Sequence, residues 1–260
     1  MKATANFFTA LKFLTIFPAP GKGPDGPGQL GRSIAFFPVI GLVIGIVLGG
    51  AAYLLRFILP PAVVSALLVT GLVIMTGAHH LDGLIDTCDG IVAGRTREQR
   101  LEIMSDTRVG AFGIAGACLV LLLKYSVFSS ASGMAAMLIF PAVSRWALTG
   151  AILIFPSAKN SGAGYETKQG AGWGNFITAS LITLIACFLF CGMIQGPLLM
   201  ISVMAVVCIM GAILSDIYGG LTGDSYGAII ETGEVFALLL IIILNSFRYL
   251  IPGTGLIVLP

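Results

Sequence analysis

The sequence is short of charge. Of its 260 residues, 10% are charged and 57% are hydrophobic, whereas soluble domains carry about 25% charged residues. This composition excludes an ordinary soluble domain, and the mean hydropathy of +1.00 predicts a polytopic membrane protein. The formal net charge is only +2 and no basic face is visible, so we expect no nucleic acid partner.

The sequence also predicts no disulfide framework and no removable signal peptide. Its five cysteines fall mostly inside apolar segments, where they are expected to be small core residues. The N-terminus shows no small-residue cleavage site after a short apolar core, so we expect no cleaved leader.

Seven apolar segments predict membrane-spanning helices, because crossing a bilayer takes roughly 20 apolar residues. They cover residues 34–57, 61–78, 111–129, 133–155, 175–193, 197–214 and 235–251. A shorter stretch, 7–17, predicts a helix in the membrane interface or packed on the bundle. The expected fold is therefore an all-α helix bundle of about seven transmembrane helices plus a short N-terminal interfacial helix. We expect one integral membrane catalytic domain over residues 1–260.

Basic residues predict the orientation of these spans. They concentrate before the first span, between the second and third, and between the fourth and fifth, and such segments face the cytoplasm. Segment 215–234 is predicted as a loop on the same side. The acidic regions around residues 82 and 224 are thus expected to share the cytoplasmic face.

Half of the acidic residues lie between residues 78 and 113. Asp82, Asp86 and Asp89 are spaced i, i+4, i+7, so a helix would place them on one face, and Asp106 follows. Close carboxylates repel each other unless a cation lies between them, and oxygen ligands favour Mg²⁺ or Mn²⁺. We predict that these four residues converge as metal ligands, the alternative being a hydrated acidic helix end. His80 is a candidate general base or a residue that orients a ligand.

Residues 219–228 are rich in glycine and hydroxyl side chains. Such a stretch lets backbone N–H groups approach a phosphate. Thr222 and Asp224 are candidate substrate contacts, and we expect Asp224 to face the Asp82 cluster across a cytoplasmic cavity. The alternative is a flexible connector with a solvated Asp224.

Two basic residues, Lys124 and Arg145, fall within predicted spans, where charge is costly. Arg145 is a candidate to bind a pyrophosphate through its forked guanidinium. The alternative for both residues is extension to the membrane interface, and it is favoured more for Lys124 than for Arg145. Arg108, two residues after Asp106, is a second pyrophosphate candidate. Glu102 is either a partner of nearby arginines or a substrate contact.

These motifs, taken in order, resemble the cobalamin synthase family of adenosylcobinamide-GDP ribazoletransferases over essentially the whole chain. The most specific runs are His80-Leu81-Asp82-Gly83-Leu84-x-Asp86-x-x-Asp89-Gly90 and Arg100-Leu101-Glu102-Ile103-Met104-Ser105-Asp106-x-Arg108-x-Gly110-x-x-Gly113. Shorter matches lie at residues 10–15, 17–18, 37–41, 144–146, 220–224 and 227–228. Ser105 stands where this resemblance leads us to expect a lysine, so we assign that position no catalytic role.

The resemblance implies a multi-pass transferase of cobalamin biosynthesis in the cytoplasmic (inner) membrane. It would transfer phospho-cobinamide from adenosylcobinamide-GDP to alpha-ribazole or its 5'-phosphate and release GMP, with one or two Mg²⁺ ions that Mn²⁺ can replace. We expect catalytic roles for His80 and Asp82, and substrate contacts from Arg108, Arg145, Thr222, Asp224 and Glu102. The lipid bilayer is the other expected partner, and a homo-oligomer is left open.

Two other functions fit parts of the pattern. A CDP-alcohol phosphotransferase also uses an Asp-Gly-rich helix pair and two metals, but its Ala-Arg pair has no counterpart after Gly83. An ion-coupled transporter would place carboxylates near the bilayer midplane, whereas most acidic residues here are predicted on one side. Release of GMP by the purified protein would distinguish the transferase from both.

Overall fold

The computed structural model describes residues 2–20, 28–130 and 134–248. Its helices are α1 Lys2–Leu14, α2 Gln29–Ser33, a 3₁₀ turn Ile34–Phe36, α3 Phe37–Leu55, α4 Pro61–Met75, α5 His79–Ala93, α6 Arg97–Ile103, α7 Ala111–Ser129, α8 Met134–Ile154, α9 Ala163–Lys168, α10 Trp173–Cys191, α11 Gln195–Tyr218 and α12 Gly223–Arg248. Within these residues the only β-structure is an isolated bridge between Ser157 and Leu221. The predicted all-α membrane bundle is confirmed.

Six helical segments are long and apolar enough to cross a membrane: Gln29–Leu55, Ala111–Ser129, Ala136–Ile154, Trp173–Cys191, Gln195–Tyr218 and Gly223–Ser246. Five of them lie close to the predicted spans, and the third predicted span coincides with α7. Residues 133 and 249–251 of the predicted spans lie outside the described residues. The N-terminal stretch forms α1, whose Ala10 and Leu14 are fully buried, so this helix packs on the bundle.

The predicted span 61–78 corresponds to α4 and the turn that follows it. Helix α4 ends at Met75, and the chain turns by 88° into α5. Gly77 and Ala78 adopt left-handed backbone conformations, with φ values of 62° and 58°, and these stop α4. Because α4 and α5 form either a broken span or a re-entrant pair, the described residues include six segments that could cross a membrane, or seven if this pair is one span.

The prediction of a loop at residues 215–234 is wrong. Helix α11 continues to Tyr218, and α12 begins at Gly223, so only four residues separate the two helices. Glu231 and Glu234 therefore lie within α12, and both are buried. These two charges lower the average hydropathy of the segment, which is why it was predicted as a loop. Their side chains nevertheless point into the protein rather than to water.

Helix α8 forms the centre of the bundle. In its apolar window 83% of the residues are buried, whereas only 28% are buried in the corresponding windows of α7 and α10. The outer helices therefore present apolar side chains to lipid, as Leu119, Leu122 and Leu189 show. Because α8 is enclosed by its neighbours, its polar residues must find partners inside the protein.

The α3–α8 contact depends on small residues. A Cβ atom on Gly41 would lie 2.5 Å from both the Cα of Ala142 and the carbonyl oxygen of Pro141. A Cβ on Gly45 would lie 2.5 Å from the carbonyl oxygen of Leu138. The two glycines thus let the backbones of α3 and α8 touch, as their four-residue spacing predicts.

We expect Gly41→Ala to lower the thermal midpoint of the protein in detergent, because the added methyl group forces α3 away from α8. Overpacking of this kind costs about 1–3 kcal/mol. Gly50→Ala is the matched control, since a Cβ there meets nothing within 4 Å in the same helix. Equal midpoints for the two variants would contradict the close approach.

Candidate active site

Helix α5 carries three carboxylates on one face. Asp82 is exposed, Asp86 is half-buried and Asp89 is buried, so the acidic face runs from the surface into the protein. The helix begins directly after the turn, where the Asp82 backbone N–H donates to the carbonyl oxygen of Ala78 at 2.8 Å. The i, i+4, i+7 spacing is therefore helical, as predicted from the sequence.

The first turns of α12 lie directly on α5. A Cβ on Gly83 would come within 2.7 Å of the carbonyl oxygen of Asp224, and a Cβ on Gly227 within 2.8 Å of that of His80. Neither glycine has room for a side chain. The contact brings Asp224 beside the acidic face of α5, although 142 positions of sequence separate Asp82 from Asp224 (224 − 82).

Thr222 fixes the beginning of α12. Its Oγ1 accepts a hydrogen bond from the Ser225 backbone N–H at 3.1 Å and lies 3.5 Å from the Asp224 carboxylate. This is the geometry of a helix N-cap, which stabilises a helix by about 1 kcal/mol. Thr222 is buried, so the structure gives this predicted substrate contact a structural role in orienting Asp224.

The four carboxylates interact electrostatically. Asp82, Asp89 and Asp224 each lie close enough to Asp86 to repel its negative charge, and Lys159 attracts it. Lys159 also attracts the charge of Asp224. The site therefore holds an excess of negative charge in a partly buried setting, which a bound cation would relieve.

The carboxylates do not form a ready-made metal cage. Among the described residues, no group of three or more His, Cys, Asp or Glu side chains is close enough to hold a metal ion as the side chains stand. The donor chemistry nevertheless fits Mg²⁺, which is usually held by one or two carboxylates together with substrate phosphates and water. Asp82 and Asp86 would be such ligands, because they lie at the open end of the acidic face.

Asp89, a predicted metal ligand, is engaged with the start of α7. Its carboxylate accepts hydrogen bonds from the backbone N–H groups of Gly110 at 2.7 Å and Gly113 at 2.8 Å. These amides belong to the first turn of the helix, where N–H groups have no partner within the helix itself. Asp89 thus ties α5 to α7, and the sequence offered no signal for this pairing.

Asp106, a predicted metal ligand, and Arg108, a predicted pyrophosphate contact, bind each other. The Arg108 guanidinium donates to both carboxylate oxygens of Asp106, with the shortest contact at 2.6 Å. These hydrogen bonds lower the pKa of Asp106 to about 2. Glu102, on α6, is exposed. The structure therefore pairs Asp106 with Arg108 and brings Asp224 to the acidic residues of α5.

Four buried charged residues lie deeper in the bundle. Lys124 of α7 donates to Glu231 at 2.7 Å and to Glu234, both on α12. Arg145 of α8 pairs with Glu234. The two positive and two negative charges balance, and none of the four side chains is more than 6% exposed.

This network changes the interpretation of Arg145 and Lys124. Arg145 is completely buried and already paired, whereas we predicted it to bind a pyrophosphate. Lys124 is buried and paired, so the prediction that it extends to the membrane interface is wrong. Two glutamates three residues apart on an apolar segment, with two cations in other spans, were the available signal for this pairing.

His80 lies between the acidic face and this network. Its side chain is 5% exposed, and its Nδ1 has no hydrogen-bond partner among the described residues. Arg145, Glu234 and Lys124 all act on it electrostatically. His80 is therefore enclosed by protein, whereas Asp82, the other predicted catalytic residue, is exposed.

We expect Asp89→Ala to destabilise the protein, because two backbone N–H groups at the start of α7 lose a charged acceptor. Hydrogen bonds to charged groups contribute roughly 1.5–3 kcal/mol, so the thermal midpoint in detergent should fall. Asp82→Ala, at the exposed end of the same face, should leave the midpoint unchanged. If both variants melt like the parent, the Asp89 contact does not stabilise α7.

We expect a larger loss from Glu234→Ala, since Arg145 loses its carboxylate and Lys124 loses one of two. Breaking a buried ion pair from one side costs about 3–5 kcal/mol. The measurement is the yield of folded protein and its thermal midpoint, with Glu166→Ala as control because Glu166 is exposed on α9. A parent-like midpoint for Glu234→Ala would show that the network is dispensable.

Known proteins resemble this chain along most of its length. The family model for cobalamin-5-phosphate synthase matches residues 6–242. An adenosylcobinamide-GDP ribazoletransferase of Geotalea daltonii is 36% identical over 92% of this chain and 98% of its own length. Proteins of the same name from Roseiflexus sp. and Desulfitobacterium hafniense are 38% and 35% identical, over 88% and 97% of this chain and 86% and 100% of their own lengths. No solved structure matches it. The chain belongs to the cobalamin-5-phosphate synthase family.

Proposed function

We propose that this protein is an adenosylcobinamide-GDP ribazoletransferase embedded in the cytoplasmic membrane. The family and the shared name of its relatives support the activity. The observation that carries the proposal is the acidic site at the α5–α12 contact, where Asp82, Asp86 and Asp224 lie together and the charge of Lys159 acts on Asp86 and Asp224. Such a site suits a reaction between phosphate esters that needs a divalent cation.

The reaction is a phosphoryl transfer. A hydroxyl oxygen of alpha-ribazole, or of its 5'-phosphate, forms a bond to the phosphorus that carries cobinamide. The bond from that phosphorus to the bridging oxygen breaks, and GMP leaves with the electron pair. Bound Mg²⁺ would neutralise phosphate oxygens and stabilise the charge that develops on GMP.

The residues of α5 divide this work. Asp82 and Asp86 would hold the metal ion, and Asp224 would complete the negative face from α12. The proton of the attacking hydroxyl passes to a carboxylate of this group, and Asp82 is its most exposed member. His80 is a poorer candidate base, because its ring is buried against α12 and has little access to a soluble substrate.

The membrane side follows from charge. Arg95, Arg97, Arg100 and Arg108 lie between α5 and α7, at the end of the bundle that carries the acidic face. Basic residues in short connections favour the cytoplasm. We therefore propose that the site lies on the cytoplasmic side.

The test is an assay of the purified protein in detergent with adenosylcobinamide-GDP and alpha-ribazole or its 5'-phosphate. We expect GMP release that requires Mg²⁺ and is nearly abolished by Asp82→Asn, which should remain folded because Asp82 is exposed. CDP-alcohols offered side by side should not react. CMP release from a CDP-alcohol, without GMP release, would instead identify a phospholipid synthase.

A further inference from the structure

The connection between α8 and α9 is held firmly beside the start of α12. The Ala158 backbone N–H donates to the carbonyl oxygen of Leu221 at 2.9 Å, and the Leu221 N–H donates to that of Pro156 at 2.8 Å. Arg97 adds a hydrogen bond to the Ala158 carbonyl oxygen at 3.0 Å. The backbone that leads into Lys159 is therefore fixed beside Leu221, which precedes Asp224 by three residues in the sequence.

Lys159 directs its ammonium group toward the acidic site. Its Nζ donates to the Ser105 hydroxyl at 3.1 Å. Its positive charge acts on both Asp86 and Asp224. Within the described parts of the chain, however, no carboxylate lies within the 4.0 Å of an ion pair with it. The lysine and the carboxylates thus face each other without contact.

A ligand that carries both charges would suit this arrangement. A phosphate group bound to a divalent cation presents the cation to carboxylates and its oxygens to an ammonium group. We propose that Lys159 binds a phosphate oxygen of the nucleoside diphosphate substrate, opposite the metal-binding carboxylates of α5. This inference rests on the proposed function and adds a residue that positions the substrate.

Three other basic residues, Arg108, Arg145 and Lys168, are already engaged. Arg108 is paired with Asp106, and Arg145 is buried against Glu234. Lys168 donates to three backbone carbonyl oxygens at the end of α8. Among the described residues, the Lys159 ammonium group has only the neutral Ser105 hydroxyl as its hydrogen-bond partner, so binding a phosphate does not require it to give up an ion pair there.

The test compares Lys159→Met, Lys159→Arg and Ser105→Ala. We expect Lys159→Met to raise the KM for adenosylcobinamide-GDP by about tenfold or more, the scale of one charge-assisted hydrogen bond. The KM for the ribazole substrate should change by less than about twofold, since that substrate is not held by Lys159. Lys159→Arg should restore much of the loss. Ser105→Ala should resemble the parent, because it removes only the hydroxyl partner.

A binding measurement separates this inference from the proposed activity. GDP serves as the probe, with Mg²⁺ present. Its affinity for the same variants is measured by equilibrium dialysis. Lys159→Met should bind GDP about tenfold more weakly than the parent, with an unchanged thermal midpoint. Parent-like GDP affinity in Lys159→Met would overturn the inference even if the transferase assay succeeds.

Equal losses of GDP affinity in Lys159→Met and Ser105→Ala, with lowered thermal midpoints, would also overturn it by showing a structural role. If the parent binds GDP through Lys159 but releases no GMP, only the proposed activity fails.

Discussion

The structure depends on the pairing of charges that cannot reach water. Glu231 and Glu234 lie inside an apolar helix, and each would be costly to bury alone. Lys124 from α7 and Arg145 from α8 neutralise them, so three helices are joined at one depth. Asp224 lies two turns before Glu231 on α12, on the same side of the helix. Helix α5 packs against α12 next to Asp224. The buried pairs thus set the position of the helix that completes the acidic site.

Much of the fold could be predicted from composition and periodicity. The long apolar runs gave the limits of α7 correctly because polar or glycine residues bound that segment on both sides. The end of α4 was also predicted to within three residues, but the 88° bend into α5 could not be, since average hydropathy carries no information on the direction of the chain. The start of α12 was missed for another reason: its two glutamates lower the average although they never meet water. Pairing in three dimensions decides whether a charged residue ends a membrane helix.

The site shows the same division. The helical spacing of Asp82, Asp86 and Asp89 predicted a shared face, and reasoning about topology predicted that Asp224 would lie on the same side. The sequence could not show that Asp89 accepts backbone hydrogen bonds from the start of α7. An aspartate at this position of the helix could equally bind a metal ion or backbone amides. Lys159 escaped notice because its position depends on a backbone bridge to a segment more than sixty residues away, between Ser157 and Leu221.

The buried ion-pair network and the acidic site at the α5–α12 contact differ in how completely their charges are paired. The buried network has two cations for two carboxylates and needs nothing further. The site at the α5–α12 contact has several carboxylates opposed by Lys159, at a distance beyond an ion pair. Full neutralisation by the protein would stabilise that site but would remove the attraction for a cation and a phosphate. A binding site for such a ligand has to keep its charges unpaired, whereas the buried network, which binds no ligand, pairs each of its own charges.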